Sequence, residues 1–118
     1  MNPEFWTFLD RLVTDSRIVI DRPMGSVHPR CPELVYPLDY GYLEDTRAGD
    51  GAGIDVWVGT DPARTVVGIL CSIDLFKRDA ELKLLLGCSR AEIETILAHT
   101  NTDLMQAELI LRPNTIKE

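Results

Sequence analysis

Four aspartates occur in two pairs, Asp50 with Asp55 and Asp74 with Asp79, each pair five residues apart. Short carboxylates at the ends of neighbouring strands supply hard oxygen ligands, and a magnesium ion needs only a few of them because it keeps several waters. Asp50 lies in "DGAG", a stretch almost free of side chains. Such a stretch suits a turn, or a backbone that must come close to a cation or to a phosphate held through one. Asp50 before Gly51 has the plain explanation of a turn residue, since aspartate bonds nearby backbone N–H groups. Asp55 is harder to explain that way, because it opens the apolar run "IDVWV", where an unpaired carboxylate is costly to bury. Asp74 closes the apolar run "VVGILCSID" in the same manner.

The elements that must position these groups follow from periodicity and turn chemistry. Asn2 as cap, Pro3 at the first helical position and Phe5, Trp6, Phe8, Leu9, Leu12 and Val13 at helical spacing predict a helix over about residues 3–15, with Trp6 and Phe8 as packing residues. "RIVID" predicts a strand that runs out at Pro23 into the proline-rich loop "RPMGSVHPRCPE". "LVY", "YGYLE", "IDVWVG", "TVVGILCSID" and "ELKLLLG" predict further short strands. Ser89 and Glu92 form a capping box ahead of a helix over about 90–100, and "AELILRP" predicts a last strand over about 107–113. The expectation is one α+β domain over residues 1–118: a small OB-like β-barrel, closed or partly open, over about 17–88, with a helix at each end.

The bulk numbers bound the function. A chain of 118 residues with 45% hydrophobic and 26% charged residues reads as a single globular domain. A net charge of −7 without a basic stripe argues against a nucleic-acid partner, including single strands bound to a barrel face. Cys31, Cys71 and Cys88 show no CxxC or CxxH spacing, which disfavours both a disulfide framework and a zinc site. "MNPEFWTFLDRLV" has the features of neither a signal peptide nor a membrane span, so the expectation is a cytoplasmic protein with no membrane partner. Lys77 and Arg78 read as exposed loop charges, and His99 near a helix end carries no assigned chemistry.

The run "YPLDYGYLEDTRAGDGAGIDVWV" resembles the central block of the soluble family I inorganic pyrophosphatases, whose Tyr-Pro-x-x-Tyr-Gly-Tyr segment precedes an Asp-Gly-Asp-x-x-Asp-Val signature. Tyr36, Pro37, Tyr40, Gly41 and Tyr42 match the first part, and Asp50, Gly51, Asp55 and Val56 the second. "VVGILCSIDLFKRDAELKL" is similar to the family's later strand pair, with Asp74 and Asp79 in its acidic positions and Lys83 nearest to its lysine, two residues late. "IVIDRP" is similar to an early strand ending in a metal-facing acid, here Asp21. The resemblance implies magnesium, with manganese as the alternative, held by Asp50, Asp55, Asp74, Asp79 and Asp21. It implies catalytic roles for Asp55, Tyr40 and Lys83, and pyrophosphate or a related phosphoanhydride as substrate, bound by Tyr36 and Tyr40. The oligomeric state stays open, a homo-oligomer included.

Two departures qualify that implication. The middle acid of the signature, which helps to deprotonate the attacking water, is Ala52 here. Loss of such a base costs on the order of 10²–10⁴ in rate. The basic hairpin of the family is shortened to "RPMGSVHPRCPE", where His28 and Arg30, with Arg22 beside them, are the groups able to replace the anion contacts. In a proline-rich surface loop such residues more often face solvent, and the alternate tyrosines Tyr36, Tyr40 and Tyr42 also suit the core of a strand. The leading expectation is a divergent metal-dependent pyrophosphatase-like hydrolase, and the alternative is a catalytically silent relative that binds metal and a phosphate-bearing ligand or a protein partner.

Overall fold

Asn2 begins the first helix by accepting the Glu4 N–H on its side chain at 2.9 Å, with Pro3 supplying a φ already suited to the first turn. The computed structural model describes residues 2–114. Helix α1 runs Pro3–Thr14. Strands β1 Ile18–Arg22, β2 Val27–His28, β3 Cys31–Val35, β4 Asp39–Leu43, β5 Ile54–Val58, β6 Val66–Asp74 and β7 Asp79–Leu86 follow. Helix α2, Arg90–Thr100, and strand β8, Met105–Leu111, complete the order.

Six strands form one open sheet in the order β1-β4-β5-β7-β6-β8, so β1 and β8 are its edges. Every pairing in it is antiparallel except β5 with β7. The loop expected after β1 carries β2 and β3, which pair as a small hairpin of their own. Prolines are tolerated there because both strands are edges, with no second neighbour to satisfy.

The sheet is covered on both faces. Trp6 of α1 packs with Leu43, Val56, Val58, Val66, Ile69, Leu84 and Leu86, while Ile93 and Ile96 of α2 pack with Tyr36, Trp57, Leu70 and Leu85 on the other side. Burial on both faces explains why "LKLLLG" reads as a continuous apolar run, with Leu84, Leu85 and Leu86 all 0% exposed. Phe8 departs from its expected packing role: it is 63% exposed, because the face of α1 turned to the sheet carries Trp6, Leu9, Leu12 and Val13 instead. Gly41 is fixed by contact, since a Cβ there would overlap the Val19 carbonyl of the neighbouring strand. Arg112 clamps the far end of β8 to α1 through two hydrogen bonds to the Asp10 carboxylate, each 2.7 Å.

Candidate functional site

Strand alternation places Asp55 and Trp57 of β5, Tyr40 of β4 and Asp79, Glu81, Lys83 and Leu85 of β7 on the face that carries α2. The parallel register sets Asp55 directly beside Lys83. The Lys83 ammonium donates to the Tyr40 hydroxyl at 2.8 Å, to Asp55 Oδ2 at 3.2 Å and to Glu81 Oε2 at 2.9 Å. Burial alone works against the charge on Lys83, but its contacts with Tyr40, Asp55 and Glu81 outweigh that and hold it above the ordinary lysine value. Burial likewise pushes the Tyr40 hydroxyl up, with Lys83 pulling against it and Asp55 adding to it, so Tyr40 stays a neutral phenol.

A cavity of about 680 Å³ lies next to this cluster. β5 pairs with β7 only over Lys83–Leu86, so the first half of β7 has an open edge, and the groove runs along it toward the loop of residues 47–50. Its walls include Asp50, Asp55, Asp79 and Glu81, with Ile73 and Leu82 among the apolar ones.

Three of the four paired aspartates thus share one groove, and the fourth is used elsewhere. Asp74 is 8% exposed and its Oδ1 accepts the N–H groups of Phe76 and Lys77 at 2.9 and 3.0 Å, which closes the β6–β7 turn. Asp50 Oδ1 accepts the Ala52 N–H at 2.9 Å, the local turn bond that its position before Gly51 suggests. Asp21 is exposed and sits at a bulge in β1, where the register shifts between Ile20 and Arg22. Among the described residues no three His, Cys, Asp or Glu side chains come together as a cation cage. As they stand the carboxylates form no ready cation cage: Asp55 is paired with an ammonium, and one oxygen each of Asp74 and Asp50 accepts from its own turn.

The remaining expected residues gather on the same face in an aromatic cluster. Arg22 donates to the Tyr36 hydroxyl and lies over that ring at 5.5 Å. His28 stacks on Tyr36 at 6.3 Å and 9°, Tyr40 meets Trp57 at 4.6 Å, and His99 lies 5.7 Å from Tyr36 and 5.6 Å from Trp57. Arg30 is exposed, and its backbone N–H donates to His28 Nδ1 at 3.0 Å. Glu81, Trp57 and His99 were not singled out by motif reasoning. Glu81 had a readable signal, because alternate positions 79, 81 and 83 of one strand must share a face.

The fold itself has solved counterparts. An inorganic phosphatase from Anaplasma phagocytophilum superposes with a TM-score of 0.55 at 16% identity over 80% of this chain and 81% of its own. An inorganic pyrophosphatase from Neisseria gonorrhoeae superposes with a TM-score of 0.54 at 17% identity over 82% of this chain and 75% of its own. The chain therefore has a pyrophosphatase-like fold. No protein-family model matches the sequence, and no curated protein matches it. No helix among the described residues is long and apolar enough to cross a membrane.

Proposed function

We propose that this chain is a catalytically silent protein of pyrophosphatase-like fold, which uses its acidic, apolar-walled groove to dock a cationic protein segment. One observation carries the reading: the Lys83 ammonium pairs with both Asp55 and Glu81 from within the chain, at 3.2 and 2.9 Å. A tethered ammonium has no open coordination position and cannot acidify a water as a bound divalent ion does. Ala52 stands where the resembled signature has the acid that takes the proton from an attacking water. What persists is a concave surface with apolar walls, on which Asp50 and Asp79 have no ammonium partner among the described residues, and it suits a basic, apolar polypeptide segment.

A second reading, hydrolysis of pyrophosphate with magnesium or manganese, is favoured by Asp50, Asp55 and Asp79 lining the same groove. Phosphate release from pyrophosphate, measured with either metal for the wild type, Ala52→Asp and Asp55→Asn, separates the two. Silence predicts no release above the uncatalysed background in the wild type. Metal-dependent release by the wild type that Asp55→Asn abolishes overturns it and establishes the hydrolase.

A further inference from the structure

The turn joining β6 to β7 is a projecting tip of the opposite character to the groove beside it. Leu75 is 65% and Phe76 80% exposed there, followed by exposed Lys77 and Arg78. Neither cation has an ion-pair partner among the described residues. Asp74 holds the tip in shape through its bonds to the Phe76 and Lys77 N–H groups, and Arg78 takes a left-handed φ of 60°. A preformed tip loses little conformational freedom on docking.

The groove is lined by four carboxylate residues and one guanidinium, Arg47; Asp55 and Glu81 share the Lys83 ammonium, which leaves Asp50 and Asp79 as its carboxylates without a cation of their own among the described residues. Two of its apolar walls, Ile73 and Leu82, are 55% and 39% exposed, and Leu104, bonded through its carbonyl to the Leu75 N–H at 2.8 Å, extends the uncovered apolar surface at 51%. Two apolar side chains followed by two cations therefore meet a groove at the open edge of β7 with apolar side chains along one side and acidic ones along the other, in a chain whose net charge of −7 would otherwise keep copies apart.

We propose that the β6–β7 turn of one chain inserts into the groove of a second copy, and that the exchange is reciprocal about a two-fold axis. Asp79 ends the turn and lines the groove, so the two features are neighbours and a single axis beside them forms the contact twice. The dimer rests on the docking reading above and names its occupant.

Sedimentation equilibrium of the full chain tests it. The expected mass rises from monomer to dimer between low-micromolar and near-millimolar protein, and the midpoint moves to higher concentration as salt is raised. Phe76→Asp in the turn and Leu82→Arg in the groove each hold the chain monomeric over that range, with far-UV circular dichroism unchanged. Mixing the two variants restores association more weakly than in the wild type, because one intact turn meets one intact groove. A wild type that stays monomeric throughout, a dimer that survives Phe76→Asp, or a mixture that fails to recover each overturns the proposal. A monomer that binds a basic, apolar synthetic peptide in its groove also overturns it, by giving the groove another occupant. Mass and phosphate release are separate readouts: a dimer that turns over pyrophosphate sinks the silent reading and keeps the exchange.

Discussion

An ammonium gripped by three oxygens matters most where little water reaches it. The Lys83 side chain is 12% exposed, with Asp55 at 30% and Glu81 at 23%. Lys83→Met keeps the stem but leaves two carboxylates and the Tyr40 hydroxyl facing each other with no cation. The expected loss is about 2 kcal/mol in denaturant unfolding, the scale of a hydrogen bond to a charged group, while Tyr40→Phe costs about 1 kcal/mol by removing one neutral acceptor. Manganese gives the sharper readout. Added ion should raise the unfolding midpoint of Lys83→Met by binding the exposed carboxylates, and should leave the wild type where it was. A wild type stabilised as strongly as the variant shows that Lys83 does not hold the cation place.

Among elements, α2 depends most on one side chain. Glu92 accepts the Ser89 N–H at 2.9 Å and the Thr60 N–H at 3.3 Å, so it closes the capping box and also ties the helix to the loop after β5. Burial raises its carboxyl, but the hydrogen bonds from Ser89 and Thr60 together outweigh this and hold it below its ordinary value. Its contribution is therefore present above the ordinary glutamate pKa and fades as pH falls through the lower folded value. Glu92→Ala should cost about 1 kcal/mol at neutral pH, and Glu92→Gln, which keeps an acceptor, should recover most of it in thermal unfolding. This helix was fully legible, since Ser89 and Glu92 announce their own bonds three residues apart. β5, β6 and β7 were legible too, because the stretches of them buried on both faces, Val56–Val58, Val66–Leu70 and Leu84–Leu86, carry no charged residue. Of the β2–β3 hairpin only the end of β3 was legible, in "LVY"; the prolines hid the rest. The parallel pairing of β5 with β7 and the Lys83–Asp55 contact were hidden because they depend on which strands become neighbours. Three of the paired aspartates line one groove, yet spacing alone cannot tell a ligand from a turn residue such as Asp74, whose oxygen is taken by its own backbone.

On the scale of the whole molecule, the aromatic cluster joins parts that are distant in sequence: Arg22 from β1, His28 from the β2–β3 hairpin, Tyr36 and Tyr40 around β4, Trp57 from β5 and His99 from α2. A charge placed there acts on how the hairpin and α2 hold together. Burial, and then the charge of His28, pull the His99 imidazole below its ordinary value of 6.5. The unfolded chain binds that proton more readily than the folded one, so stability is full above the ordinary imidazole value. It falls as pH drops through 6.5 toward the lower folded value and levels off beneath it. Thermal unfolding between roughly pH 8 and pH 5 should show that decline, well above the range where Glu92 titrates. His99→Gln should flatten the profile, because it keeps a polar side chain of similar reach and removes the titration. His28→Ala should shrink the decline without abolishing it, because burial of His99 persists when the neighbouring charge is gone. A decline of the same size in His99→Gln assigns the pH dependence to other groups and removes the cluster as the link between the hairpin and α2.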